Sequence, residues 1–151
     1  MRKITFIVLF TAFSAFLNAQ SDAFLKLKNS IKENHPEINL ENKLIAVNVW
    51  SANDQESREA NKQFNRVYSI YEFAKLKGGL KGLVCITVNK DGDATSIILN
   101  KDGATKLIQV NSIEISSNTN SNFVFDDKGN EVYKNISSDK IFESINKLIT
   151  R

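Results

Sequence analysis

The sequence predicts an α/β domain with a central mixed β-sheet flanked by helices. Two observations carry this. A long amphipathic segment, residues 54–76, lies between two short apolar runs, Lys43–Val49 (KLIAVNV) and Leu83–Val88 (LVCITV). Such a unit joins parallel strands by a helical crossover, and strands buried on both faces read as nearly continuous apolar runs. Further on, Asn122–Asp126 (NFVFD) and Glu131–Lys134 (EVYK) flank Asp127-Lys128-Gly129-Asn130, a strong hairpin signal.

The chain has 151 residues, a length suited to one domain. Met1-Arg2-Lys3 precedes a 14-residue apolar run, Ile4–Leu17, and the chain turns polar at Asn18-Ala19-Gln20. This is the layout of a secretory signal peptide over residues 1–19, and the run is short of the roughly 20 residues a spanning helix needs. Cleavage is expected near Ala19, although Leu17 is bulky for the small-x-small rule; an uncleaved anchor is the alternative. The expected product is exported, periplasmic or secreted, with no stable membrane span after cleavage. No cysteine directly follows the apolar run, so a lipid-modified N-terminus is not expected.

Residues 20–42 are expected to form an N-terminal helix and linker. Phe24, Leu25, Leu27 and Ile31 make one apolar stripe in Asp22–Asn34, and His35-Pro36 ends it. The main domain then runs over 43–151. In the long segment Ala60, Phe64, Val67, Tyr68 and Tyr71 share a side. Lys75, Lys77 and Lys81, around Gly78-Gly79 and Gly82, read as its C-terminus, with lysines complementing the dipole and glycine supplying a left-handed cap. The spacing is not that of a phosphate loop. Residues 93–100 suit either a short helix or a strand. Residues 111–122 are polar apart from Ile113 and Ile115 and read as an irregular connection. Ser138–Ile149 places Ile141, Ile145, Leu148 and Ile149 on one helical face, with Ser138 as N-cap.

Composition narrows function. The formal charge is +3, and loss of Arg2 and Lys3 with the signal would leave 18 basic residues against 17 acidic. No electrostatic footprint for nucleic acid remains. One cysteine, Cys85, and one histidine, His35, exclude an intrachain disulfide, a multi-cysteine zinc cluster and histidine-rich metal sites. Asn89–Thr95, partly repeated at 100–105, lacks the D-x-D-x-D-G order of a calcium loop and reads as two turns. No metal or cofactor is expected.

Lys43–Glu59 (KLIAVNVWSANDQESRE) resembles the signature of exported thioredoxin-like proteins, an apolar strand followed by W-x-x-W-C-x-x-C-R-E. Trp50 matches the first tryptophan, and Arg58-Glu59 the residues after the second cysteine. Phe123–Gly129 (FVFDDKG) is similar to the F-L-I-D-x-x-G hairpin of the same superfamily, about 70 residues later. The nearest pattern is that of periplasmic thiol-disulfide reductases of the cytochrome-maturation type. The resemblance covers residues 42–151 and implies a thioredoxin-like fold.

The departures bear on function. Asp54 and Ser57 stand where the two cysteines belong, Asn53 replaces the second tryptophan, and the family's cis-proline falls near Asn120; the sole proline is Pro36. Thiol exchange needs a thiolate to attack a disulfide and a second thiol to resolve the product, and neither Asp54 nor Ser57 can do this. Asn53 and Glu56 are spaced as a capping box for the long helix. The other reading of this rim is a contact surface formed by Trp50, Asn53, Asp54, Gln55, Glu56, Ser57 and Asn120, with no catalytic residue among them. Cys85, amid branched residues in a strand, is expected to be buried and inert.

Two functions follow. The favoured one is a binding module without thiol chemistry, whose partner is a protein or small-molecule ligand of the cell envelope. The alternative is a thiol-disulfide oxidoreductase, or redox-associated protein, acting through Cys85 or an intermolecular cysteine pair.

Overall fold

The computed structural model describes residues 22–92, 95–110 and 120–150. The expected signal peptide, and nearly all of the expected connection over 111–122, lie outside the described residues. Helix α1 (Asp22–Asn34) buries Phe24, Leu27 and Ile31, three positions of the expected stripe; Leu25 is 43% exposed. Strand β1 (Leu44–Trp50) leads into helix α2 (Gln55–Tyr71), which returns to strand β2 (Leu83–Asn89). Both strands are buried along their whole length. Residues Thr95–Asp102 form helix α3, which decides between the two readings of that stretch in favour of a helix. Strand β3 (Ile108–Val110) follows, then the hairpin of β4 (Ser121–Phe125) and β5 (Glu131–Lys134), and a 3₁₀ turn (Ser138–Lys140) running into helix α4 (Ile141–Asn146).

The five strands lie in the order β3-β2-β1-β4-β5. β1 pairs in parallel with β2, and β2 with β3; β4 runs antiparallel to both β1 and β5. The sheet is therefore mixed, with β1 at its centre. Alternation along β1 serves two cores. Leu44, Ala46 and Trp50 pack with Phe64 and Val67 of α2 and Ile141 and Ile145 of α4; Ile45, Val47 and Val49 pack with α1 and with Phe123 and Phe125 of β4. Asn48 takes the remaining place on the α2 side.

The hairpin turn forms as its residues dictate. The Asp126 carboxylate accepts from the backbone N–H groups of Lys128 (2.9 Å) and Asn130 (2.8 Å). At Gly129 φ is +84°, and a Cβ there would sit 2.5 Å from the Phe24 ring, so glycine lets the turn close against α1.

Two local expectations are corrected. The lysine–glycine segment is not the end of α2, which stops at Tyr71; the chain instead reverses through a one-turn 3₁₀ helix (Lys77–Gly79) bracketed by an antiparallel bridge between Lys75 and Lys81. Apolar Phe73 and Leu76 carry the helical pattern past its real end. Ser138 does not cap the last helix: it lies inside the 3₁₀ turn, whose N-cap is Ser137, its backbone N–H donates to the Glu56 carboxylate at 2.8 Å, and the N-cap position of α4 is held by Lys140.

Candidate functional site

The N-terminus of α2, the start of β4 and the segment after β5 enclose a groove of about 290 Å³. Asp54, Glu56, Ser57 and Asn120 line it, with Asn48 at its floor and Ser137 and Ile136 on the far wall. Four of the seven rim residues expected from sequence thus meet at one place.

Asp54 is the N-cap of α2, in extended conformation at φ −104°, ψ 107°. Its Oδ1 accepts from the backbone N–H of Glu56 (3.0 Å) and Ser57 (3.5 Å), satisfying donors that a helix start leaves free. Its Oδ2 accepts from the Asn120 amide. The residue in the first cysteine position is therefore clasped to the residue near the proline position, across the head of the groove. The expected capping box does not form. Asn53 is exposed, one residue too early to cap, and Glu56 reaches away from it to the Ser138 N–H. Asn and Asp cap equally well, so sequence alone could not place the cap to the residue.

Ser57 is 6% exposed, and its hydroxyl is fully engaged. It donates to the Asp54 carbonyl at 3.1 Å and accepts from the Ser51 N–H at 3.3 Å. Among the described residues no histidine or lysine lines the groove to activate it. Gln55 is exposed beside the cap. Trp50 is not part of the rim: it is 0% exposed, on the inner face of β1, and its indole N–H finds no acceptor among the described residues.

Beneath the groove lies a buried amide network absent from the sequence reading. Asn48 donates to the Ser57 carbonyl (2.8 Å) and to Asn61 Oδ1 (2.9 Å), and the Thr87 hydroxyl donates to the same Asn61 oxygen at 2.9 Å. These bonds tie β1, β2 and the first turns of α2 together. The available signal was Asn48 itself, a lone amide in an apolar strand. Asp91 was also missed as a supporting residue. From the turn after β2 its Oδ2 accepts from the Ser51 hydroxyl and the Ala52 N–H, both at 2.8 Å, and anchors the loop that leads to the cap. Arg58 and Asp102 form a two-pronged ion pair joining α2 to α3.

The Asn120 amide, and then the backbone donors of α2, hold the Asp54 carboxyl below its ordinary value. Its stabilising effect is therefore complete above the unfolded value near 3.9 and disappears as pH falls through the lower folded value. Asp54→Ala is expected to cost about 1 kcal/mol at neutral pH. The difference from the unsubstituted chain should shrink below about pH 4 in urea denaturation followed against pH. A difference that does not diminish at all as pH is lowered from about 4 would show that the carboxylate is not the stabilising group.

Cys85 lies in the middle of β2, 1% exposed and facing the α2 core. Burial pushes its thiol pKa far up, away from the thiolate form.

The sheet order, the crossover through α2 and the hairpin define the thioredoxin fold. Solved structures share it. The thioredoxin domain of a thiol-disulfide oxidoreductase from Bacteroides vulgatus is similar at a TM-score of 0.59 and 15% identity, over 74% of this chain and 82% of that one. A thiol:disulfide interchange protein from Bacteroides sp. gives 0.56 and 16%, over 71% and 73%. A secreted disulfide oxidoreductase from Mycobacterium tuberculosis gives 0.53 and 10%, over 72% and 84%. No protein-family model matches the sequence, and no curated protein matches it.

Proposed function

We propose that this chain is an exported thioredoxin-fold domain that performs no thiol exchange and captures a protein or small-molecule ligand of the cell envelope in the groove beside Asp54 and Asn120. The observation that carries this reading is the clasp itself. The helix start that would activate a thiol holds a carboxylate already committed to two backbone N–H groups and an amide. Ser57 is equally committed, yet the groove beside them stays open. The signal-peptide layout, and a similar structure described as secreted, support export.

Ser137 is exposed on the groove wall, so Ser137→Arg would fill the cavity without touching the core. Co-purification from the native host should lose the partner by about tenfold or more with this variant, as expected when a cavity of this kind is blocked. Undiminished capture would remove the groove from consideration.

A second assay separates this reading from a thiol enzyme. Native protein should show no disulfide-reductase turnover, and Cys85 should react with a thiol reagent at least about 1000-fold more slowly than in denaturant, because the buried strand must first open. Rapid stoichiometric labelling with turnover would restore the enzyme reading.

A further inference from the structure

The lysine–glycine segment takes no part in the groove and does not cap α2. Lys75 and Lys81 face each other in an antiparallel bridge, while Leu76 and Leu80 beside them are buried. Directly opposed residues of such a pair project to the same side, and like charges so placed disfavour the pairing. Lys77 is also exposed, and among the described residues none of the three lysines has a carboxylate at ion-pair distance. A fourth ammonium, that of Lys43, lies against Gly82. The nearby acid, Glu72, already accepts from the Tyr68 hydroxyl at 2.8 Å. Next to this charge stand Phe73, 81% exposed, and Ile70, 55% exposed, at the C-terminal end of α2.

We propose that Ile70 and Phe73, with Lys75, Lys77 and Lys81, dock the domain peripherally on an anionic phospholipid surface. Opposed lysines with no counter-ion among the described residues suit an external negative field. An exposed phenylalanine beside them supplies the apolar group that enters the headgroup boundary. The patch has no fitted shape: none of the described cavities is lined by these residues. Its cations are ammoniums rather than arginine forks, and they flank a turn whose Gly78 and Gly79 have positive φ and open space around them. A diffuse layer of headgroups suits that arrangement better than the fixed carboxylates of a folded partner. The groove lies at the opposite end of α2, about 25 Å away along a 17-residue helix, so docking leaves it open.

The test is co-sedimentation of the purified full chain with phosphatidylcholine vesicles and with vesicles containing about one third phosphatidylglycerol. The unsubstituted chain and its variants share one N-terminus, with its own basic residues and apolar run, so the change in preference for anionic over neutral vesicles between them reads the patch. That preference should vanish in high salt and fall about 100-fold in the Lys75→Gln, Lys77→Gln, Lys81→Gln triple variant. Phe73→Ser should lower binding to the anionic vesicles about tenfold. Circular dichroism of each variant should match the unsubstituted chain, since all four side chains are exposed; if the triple variant does not fold, Lys77→Gln alone should still lower the preference about fivefold, and no change would overturn the proposal. Equal binding to both vesicle types would overturn the proposal. So would retention on polyglutamate beads without vesicle binding, which would assign the patch to an acidic protein.

Discussion

Replacing Trp50 with alanine is expected to lower stability by about 3–5 kcal/mol, the range for deleting a large buried aromatic side chain. Trp50 is fully buried at the end of β1, in the same core as Phe64 and Val67 of α2, the helix that Asp54 caps. For a domain of this size the melting temperature should drop by roughly 10–20 °C. Urea denaturation and thermal melting, both followed by circular dichroism, measure the two quantities; fluorescence cannot serve because Trp50 is the only tryptophan. Trp50→Phe should cost far less, about 1.5 kcal/mol or under, because it keeps most of the apolar volume and removes an indole N–H that has no acceptor among the described residues. If alanine were tolerated within about 1 kcal/mol, the residue would have to lie on the surface rather than in the core.

Asp54→Cys combined with Ser57→Cys is expected to reveal how much of the thiol chemistry the scaffold still supports. The two positions are three residues apart at the start of α2, within reach of a disulfide, and the first sits where the helix places its positive end. The thiol introduced in place of Asp54 should therefore titrate below the free-thiol value of about 8.5, in the range of about 3.5–7.5 seen for helix-start thiols. Alkylation rates against pH give this directly. Turnover of a peptide disulfide should rise at least about 100-fold above that of the unsubstituted chain, which lacks an accessible thiolate. A thiol there titrating at its ordinary value would instead show that the Asn120 side of the groove, and not only two side chains, has diverged from thiol exchange.

Most of the fold was legible because its signals are made by burial. β1 and β2 are covered on both faces, so their sequences are unbroken apolar runs, and the hairpin announces itself through Asp126 and Gly129. β3 escaped notice because only Val110 of its three residues is buried, which leaves no pattern to read. The end of α2 was overrun because Leu76, outside the helix, is buried in the same core as Phe64 and Val67.

The site was legible in place but not in detail. The meeting of Asp54 with Asn120 follows from fold-level spacing, whereas the cap at Asp54 rather than Asn53 depends on one residue's backbone angles. Trp50 was misplaced because adjacency to a rim in sequence does not say which face of a strand a side chain takes. Its parity with Leu44 and Ala46 puts it inside. Asn135, Ile136 and Ser137, which complete the groove, come from a segment with no motif at all, and only the topology brings them there.

The position of Cys85 has a bearing on biogenesis. A chain with a single, fully enclosed thiol has no intrachain disulfide to form in its maturation and no pairing to get wrong. It should reach the same native state in a reducing or an oxidising compartment, needing neither an oxidase nor an isomerase. Proteins with this architecture that trade electrons depend on the redox machinery around them. In this one, no intrachain disulfide depends on it.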